Sequence, residues 1–383
     1  MRVAKKPGEK LVLVWRWSIL PGSETFIRNQ VDSLQTWGAR LLGARRTEST
    51  LSRDDDIVLY GESRRARARR RLFQLTDYSQ TLAKEIVRSE PNVIHAHFAT
   101  DGIRLMRIAK RLSIPLVVTL HGADITSKPS RKGVVGWRYR ARLRALFKSD
   151  VELIAVSSFI RAQAILKGAQ PDRISVHYIG IPLPLAQEYP RNQDRRRWDI
   201  VFVGRLVEKK GVSDLLAAAA LIKRQEPIKI VVVGDGPLRE DLENRAREHR
   251  HEITFLGSLS PEQVAGIMQQ ARIFVGPSKT AKNRDAEGFG MVFLEAAAAG
   301  LPVVAYGHGG VVEAVEHNHS GFLAPEGDVE SLSRYIQVLL DDPERAASMG
   351  NYGRERVVRD FDINKQTQKL ESIYDSIYTR NVM

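Results

Sequence analysis

Short runs of β-branched and other apolar residues alternate along this chain with longer segments whose apolar positions fall three and four residues apart. In the first half the runs are LVLVW (11–15), VIHAHF (93–98), PLVVTLHG (115–122), ELIAVS (152–157) and ISVHYIG (174–180), and each reads as a strand. After the first of them, ETFIRNQVDSLQTWG reads as a helix stopped by Gly38. Strands separated by helices of this length imply a parallel sheet with crossover helices. The stretch 182–198, PLPLAQEYPRNQDRRRW, is proline-rich and then charged, and reads as a linker.

The pattern then restarts. DIVFVGR (199–205), KIVVVGDG (229–236), ITFLG (253–257), RIFVGPS (272–278) and LPVVAYG (301–307) are expected strands, each followed by a helical segment. The expected fold is α/β, with two doubly wound parallel-sheet domains at 1–185 and 199–361 and a linker at 186–198. The tail after Ile363 reads as one more helix. Ligands of such sheets bind beyond the carboxyl ends of the strands, and the unusual residues of this chain cluster there.

Composition narrows the picture in three ways. There is no cysteine, which excludes disulfides and thiolate metal sites. The longest apolar runs, such as LLAAAALI, fall well short of the roughly 18 residues that span a bilayer, and the apolar core before Arg16 is too short for a secretion signal. The net charge of +14 is uneven, with much of the excess in SRRARARRRLF (63–73) and RKGVVGWRYRARLRALFK (131–148). In the second stretch Val134, Trp137, Tyr139 and Leu143 alternate with Arg138, Arg140, Arg142 and Arg144. A solvated surface, an anionic membrane contact and a nucleic-acid surface all fit that pattern. No helix-turn-helix, zinc-finger or RNA-binding signature supports the last, so nucleic acid is not an expected partner.

Three stretches carry candidate chemistry. In VFVGRLVEKKGVSDLL, Gly204 ends a strand, and Arg205 and Lys210 precede a helix starting near Val212. Two cations with glycine-exposed amides at a helix N-terminus make a phosphate or diphosphate site, although for an isolated basic pair a solvated turn is the favoured reading. GDGP at 234–237 is a second strand-to-helix turn that lacks the third glycine of a dinucleotide fingerprint.

The third is AEGFGMVFLEAAAAG (286–300), with Glu287 and Glu295 on either side of Gly288-Phe289-Gly290. A continuous helix would hold the two carboxylates about 12 Å apart. The glycines predict instead a turn and then a helix from about Met291 to Ala299, stopped by Gly300 and Pro302. Spacing alone does not exclude a hydrolase pair. The arrangement better suits an elongated ligand, with hydroxyls at both ends and a phosphate at the helix N-terminus.

With these residues in view, EGFGMVFLEA resembles the E-x7-E signature of retaining glycosyltransferases of family 4, which have the GT-B fold of two Rossmann-like domains facing across a cleft. Gly204-Arg205 with Lys210, GDGP, FLG (255–257), PS (277–278) and GGVVEAV (309–315) occur in the family's order and spacing, as do PGSETF (21–26), HAHF (95–98) and TLHGAD (119–124). The resemblance covers almost the whole chain and is greatest to members that build exopolysaccharides. It implies that the helix at 362–383 crosses back to the first domain.

The resemblance further implies roles, residue by residue. Arg205 and Lys210 would bind the donor diphosphate, and Glu295 the nucleotide ribose. Glu287 would contact the transferred sugar, with the amides of Phe289, Gly290 and Met291 on sugar or phosphate. Gly22 would let the N-terminal loop approach the diphosphate, His121 would reach the sugar, and Gly257 to Leu259 would face the base. Asp124 would orient its loop or touch the acceptor. The family needs no divalent metal or other cofactor, and its view of the reaction is a front-face transfer in which the leaving phosphate helps deprotonate the acceptor.

Other features have plainer readings. His95 and His97 are two apart and suggest a metal pair, but a structural role is favoured. His308 reads as a turn residue, and Asp54-Asp55-Asp56 as a solvated loop. The expected activity is transfer of a hexose from a nucleoside diphosphate sugar, UDP- or GDP-linked, to a hydroxyl of a lipid-linked saccharide. The expected place is the inner face of the cytoplasmic membrane, held there by the basic first half. A soluble small-molecule acceptor, a GT-B phosphorylase or epimerase, and a non-catalytic membrane scaffold remain as alternatives.

Overall fold

The structure, a computed structural model, describes residues 10–183 and 196–382, so most of the stretch expected as a linker (186–198) lies outside the described residues. The chain forms two compact units. The first comprises Met1–Pro182 with Ile363–Met383, the second Leu183–Asp362.

The first unit opens with β1 (Leu11–Ile19), α1 (Thr25–Asp32), β2 (Gly38–Arg46) and β3 (Ile57–Val58). Two basic or amphipathic helices follow, α2 (Arg64–Thr76) and α3 (Gln80–Ser89). Then come β4 (Val93–His97), α4 (Ala99–Arg111), β5 (Leu116–Leu120), α5 (Gly133–Phe147), β6 (Glu152–Ala155), α6 (Ser158–Ile165) and β7 (Ile174–Val176). All pairings are parallel, in the order β3-β2-β1-β4-β5-β6-β7.

The second unit repeats the scheme. It contains β8 (Trp198–Val203), α7 (Val212–Leu221), β9 (Lys229–Val233), α8 (Arg239–Arg247), β10 (Glu252–Gly257), α9 (Pro261–Gln269) and β11 (Ala271–Gly276). It closes with α10 (Met291–Ala298), β12 (Val303–Tyr306), α11 (Val311–Ala314), β13 (Gly321–Ala324), α12 (Val329–Asp341) and α13 (Pro343–Asp360). Its sheet runs β10-β9-β8-β11-β12-β13, again all parallel. This is the strand order of the dinucleotide-binding doubly wound fold, with the topological switch between β8 and β11. In the first unit the switch lies between β1 and β4. Each sheet is covered by helices and has its own apolar core, as parallel sheets require.

The last helix, α14 (Ile363–Val382), belongs to the first unit. Leu370, Tyr374 and Ile377 enter that unit's core. One oxygen of buried Glu371 accepts hydrogen bonds from the backbone amides of Gln35, Thr36 and Trp37 at 2.8, 2.7 and 3.0 Å. That carboxylate explains a departure from the sequence pattern. The expected helix through Gly38 stops at Asp32, because the amides that would extend it are held by Glu371, and Gly38 instead begins β2.

β2 itself carries little strand signal, since GARLLGARR lacks β-branched residues. It is placed by its neighbour: a Cβ on Gly43 would lie 2.4 Å from Ile19 Cγ1 and 2.9 Å from the Arg16 carbonyl oxygen, so only glycine allows the close pairing with β1. The short strands β3 and β13 are likewise absent from the expected list, and β1 runs four residues beyond the LVLVW segment. The acidic triplet is corrected too. Asp56 is buried rather than solvated, and it takes both Arg28 Nη2 bonds at 2.8 and 2.7 Å and the Arg53 amide at 2.7 Å.

Replacing Glu371 by Ala is expected to destabilise the first unit by about 2–4 kcal/mol, because three amides, that of buried Trp37 among them, lose a charged acceptor. Urea unfolding followed by fluorescence measures this. A loss below about 0.5 kcal/mol, the size of a neutral surface change, would mean that apolar packing alone holds α14.

Candidate functional site

The second unit gathers its polar residues where β8 and β11 end. β8 runs into Gly204 and Arg205, buried Leu206, and a short turn at Glu208–Lys210. Gly211 (φ +67°) then begins α7, and a Cβ there would stand 1.9 Å from the Pro277 carbonyl oxygen. This glycine lets the β8 loop press on the turn after β11, and Lys279 N reinforces the contact by donating to the Lys209 carbonyl at 2.7 Å.

The approach brings Lys210 to Glu287. Lys210 Nζ donates to Glu287 Oε2 at 2.6 Å, with both side chains largely out of solvent. Around them Lys209 pairs with Asp285 at 3.3 Å and Lys279 with Asp214 at 2.6 Å, and the Tyr306 hydroxyl donates to Asp214 at 3.1 Å. Burial pushes the Glu287 carboxyl up, but Lys210 and Lys209 outweigh it and hold it at about 2. Glu287 is therefore an anion at any working pH. It accepts hydrogen bonds and cannot serve as a general acid.

After Glu287 the chain turns on Gly288-Phe289-Gly290. Gly290 (φ +89°) precedes α10, where a Cβ would come within 2.4 Å of the Phe293 ring. No side chain caps α10; Phe293 N donates to the Gly290 carbonyl at 3.0 Å, which leaves the Met291 and Val292 amides for an anion. The helix ends at Ala298, followed by Gly300 at φ +75°, within a residue of the expected boundary. Phe289 is buried against Phe361, with ring centroids 5.7 Å apart, so only its backbone is on offer. Glu295 lies one turn into α10 and is exposed. Lys210 acts on both carboxyls, but only Glu287 pairs with it directly, while desolvation pushes the Glu295 carboxyl up.

Arg205 is exposed, and its side chain has no hydrogen-bond or ion-pair partner among the described residues. Neighbouring strand ends are stitched to its loop: Gly204 N donates to the Val233 carbonyl at 3.0 Å, Leu206 N to Asp235 at 2.9 Å, and Gly234 N to Gly257 at 2.7 Å. The GDGP turn thus abuts the cationic loop, while Gly257 (φ +70°) ends β10 and Leu259 is half-buried just beyond it. Pro237 does not open α8, which begins two residues later at Arg239.

His308 is a residue that the sequence pattern placed only in a turn. It is buried, Nδ1 stands 3.9 Å from Glu326, and Nε2 has no partner. Burial lowers its pKa, against the pull of Glu326 and Glu287, which keeps the ring neutral. The loop is pinned to the first glutamate, with Gly310 N donating to the Glu287 carbonyl at 2.9 Å. Its histidine between glycines was the only hint in the sequence.

The first unit has its own cluster at the ends of β4 and β5. His121 Nε2 lies 3.0 Å from His97 Nδ1, and its ring packs on Phe98 and Phe26 at 4.4 and 4.9 Å. Burial and then the Arg16 guanidinium hold His121 well below the usual histidine range. His95 is not a metal ligand in waiting: its Nδ1 meets the Tyr374 hydroxyl at 2.6 Å and its Nε2 the Thr119 hydroxyl at 2.7 Å. Asp124 accepts from Ala99 N at 2.8 Å with one oxygen and from Gly122 N at 2.9 Å with the other, the contacts of a loop anchor. Gly22 is exposed in a short turn after β1, with open space where a Cβ would be.

Residues 187–356 match the model for glycosyl transferases group 1, and residues 21–184 the model for Glycosyltransferase Family 4. A GDP-mannose-dependent alpha-(1-6)-phosphatidylinositol monomannoside mannosyltransferase of Mycobacterium tuberculosis is 32% identical over 269 residues, 66% of this chain and 69% of that one. The chain belongs to the family 4 glycosyltransferases. Another similar member is the amylovoran biosynthesis glycosyltransferase AmsK of Erwinia amylovora, 28% identical over 288 residues, 74% of this chain and 70% of the relative. Among solved structures, Anabaena HepE in complex with UDP and glucose superposes with a TM-score of 0.76 at 20% identity, covering 96% of this chain and all of that one. This last likeness is one of fold, and the fold is GT-B.

The depressed pKa gives the glycosyltransferase a pH signature. A carboxyl held below its unfolded value of 4.5 contributes stability that is present above pH 4.5 and is lost as pH falls toward 2. Between pH 6 and pH 3 the native protein is expected to lose about 2 kcal/mol more than Glu287→Gln. Parallel urea titrations of the two proteins at each pH would show it, and identical losses would mean that Lys210 does not stabilise the Glu287 anion.

Proposed function

We propose that this glycosyltransferase moves a hexose from a UDP- or GDP-sugar to a hydroxyl of a lipid-linked saccharide, with retention of anomeric configuration. The observation that carries the reading is the buried Lys210–Glu287 pair at the β8/β11 switch, beside an unpaired Arg205 and an uncapped α10. Breaking the anomeric carbon–oxygen bond of the donor leaves negative charge on the diphosphate. Lys210, Arg205 and the N-terminus of α10 are fixed positive groups for that charge. With these in place, no divalent metal is required.

Glu287 accepts hydrogen bonds from hydroxyls of the transferred sugar, helped by the amides of Gly290 and Met291. Glu295, exposed one turn along α10, accepts from the ribose hydroxyls, while Gly257 and Leu259 border the base. The acceptor oxygen bonds to the anomeric carbon as the diphosphate leaves, and the leaving phosphate takes the acceptor's proton. Held by Lys210, Glu287 is a weak nucleophile, which disfavours a covalent intermediate. In the first unit burial keeps the His121 imidazole neutral, and Asp124 anchors the loop that carries it.

Support for a lipid-linked acceptor comes from the mycobacterial relative, named for a phosphatidylinositol monomannoside, and from AmsK, named for amylovoran biosynthesis. No described helix is long and apolar enough to cross a membrane, and the enzyme is placed by this reading on the inner face of the cytoplasmic membrane.

Replacing Lys210 by Ala is expected to lower kcat/KM by about 10²–10³, the scale for losing one preorganised charge partner, whereas Glu295→Ala should mainly raise the donor KM. Equal activity in Lys210→Ala and the native enzyme would sink the assignment. Proton NMR of the product should show an α linkage from an α-linked donor, and a β linkage rules out retention. Transfer should also persist in excess chelator; its loss, restored by a divalent ion, would overturn the metal-free reading.

A further inference from the structure

The two basic helices of the first unit do not use their arginines alike. Arg138 and Arg142, on α5, donate to the Leu75 carbonyl near the end of α2 at 3.0 and 3.2 Å, and Arg142 also pairs with Asp77 at 3.0 Å. Arg140 donates to the Pro129 and Arg131 carbonyls, and the Tyr139 hydroxyl to the Asp124 carbonyl. The alternation of aromatics and arginines on α5 is thus largely structural: it locks α5 to α2 and to the loop before it.

What the lock leaves outside is a compact surface of different character. Val134, Val135 and Trp137 at the start of α5 are 77%, 67% and 65% exposed, and Leu72, Leu75 and Tyr78 at the end of α2 are 60%, 61% and 52% exposed. These six are half of the twelve large apolar side chains that stand exposed among the described residues. The Arg138 and Arg142 bonds to Leu75 put the two groups on adjoining helix ends. Along α2, Arg64, Arg65, Arg67, Arg69 and Arg71 are exposed with no ion-pair partner among the described residues, while Arg70 alone pairs with Glu62.

We propose that this α2–α5 face docks on an anionic lipid bilayer, with Val134, Val135, Trp137, Leu72 and Leu75 entering the interface and the free α2 arginines lying against the headgroups. The occupant follows from the combination. Unmatched cations call for an anionic surface. Aliphatic side chains gain nothing from a phosphodiester backbone but gain from the acyl boundary, where Trp and Tyr also prefer to sit. The proposal rests on the lipid-linked acceptor reading for its purpose and names the face that meets the lipid.

The test is co-sedimentation of the full chain, without sugar donor, with vesicles of phosphatidylcholine alone or mixed with phosphatidylglycerol. Binding is expected only to the anionic vesicles and to weaken with salt. Trp15, Trp37 and Trp198 are buried and Trp17 half-buried, so a blue shift on binding that vanishes in Trp137→Phe reports on this face. Each arginine is expected to contribute about five-fold, so Arg65→Gln with Arg69→Gln should weaken binding about 25-fold. Val134→Ser with Val135→Ser should weaken it at least as much, while Arg245→Gln with Arg247→Gln on α8 leaves it unchanged.

Equal binding to neutral vesicles, unchanged binding by the α2 or α5 variants, or capture of RNA in place of vesicles would each overturn the proposal. Thermal unfolding of every variant separates loss of docking from loss of fold. Because vesicle binding is read without donor or acceptor, its failure leaves the transferase reading standing, and failed transfer leaves this one.

Discussion

The ion pair between Lys210 and Glu287 is the constraint around which the second unit is arranged. Its partners are 77 residues apart in sequence and meet only because β8 and β11 adjoin at the sheet's switch point. A carboxylate with this little solvent is costly to keep charged unless a cation stays beside it, and removing either member of such a pair typically costs about 3–5 kcal/mol. The surroundings are built to hold that distance. Gly211 permits the loop to touch Pro277, Gly310 clamps the Glu287 carbonyl, and the Lys209–Asp285 and Lys279–Asp214 pairs alternate charge so that neighbouring lysines do not repel. A charged, positioned site therefore exists before any ligand arrives, which is what electrostatic preorganisation demands.

Much of this was legible in the sequence, for reasons that are local. The turn and helix at 288–300 announce themselves because Gly290 and Gly300 occupy left-handed conformations that other residues avoid. Parallel strands buried on both faces are continuous apolar runs, so β4, β5, β9 and β11 stood out. The ribose and sugar roles follow from no spacing rule; they come from the resemblance to family 4 and belong to the proposed function.

The failures are equally physical. Gly38 looks like a helix stop, yet a glutamate more than 330 residues away takes the amides of residues 35–37 and ends the helix sooner. Asp56 looks like one of three solvated acids until Arg28 folds over it. β2 and β13 have weak intrinsic strand propensity and are recruited by pairing with β1 and β12. In each case a tertiary partner, invisible at short range, overrode local preference.

The same distinction governs the charges. Sequence shows a run of arginines and treats them as one basic surface; structure divides them by what already occupies them. Arg138, Arg140 and Arg142 spend their donors on carbonyls and Asp77, so deleting them would disturb packing before it altered any ligand. Arg65, Arg67 and Arg69 on α2, and Arg205 after β8, keep their donors free. A cation is available to a ligand only to the extent that the fold has not already used it. By that measure the free positive charge of this chain falls into two separate groups. A few free cations stand where the central strands β8 and β11 end, and a larger group on α2 faces outward beside exposed tryptophan and valines, a combination that an anionic, partly apolar surface would satisfy.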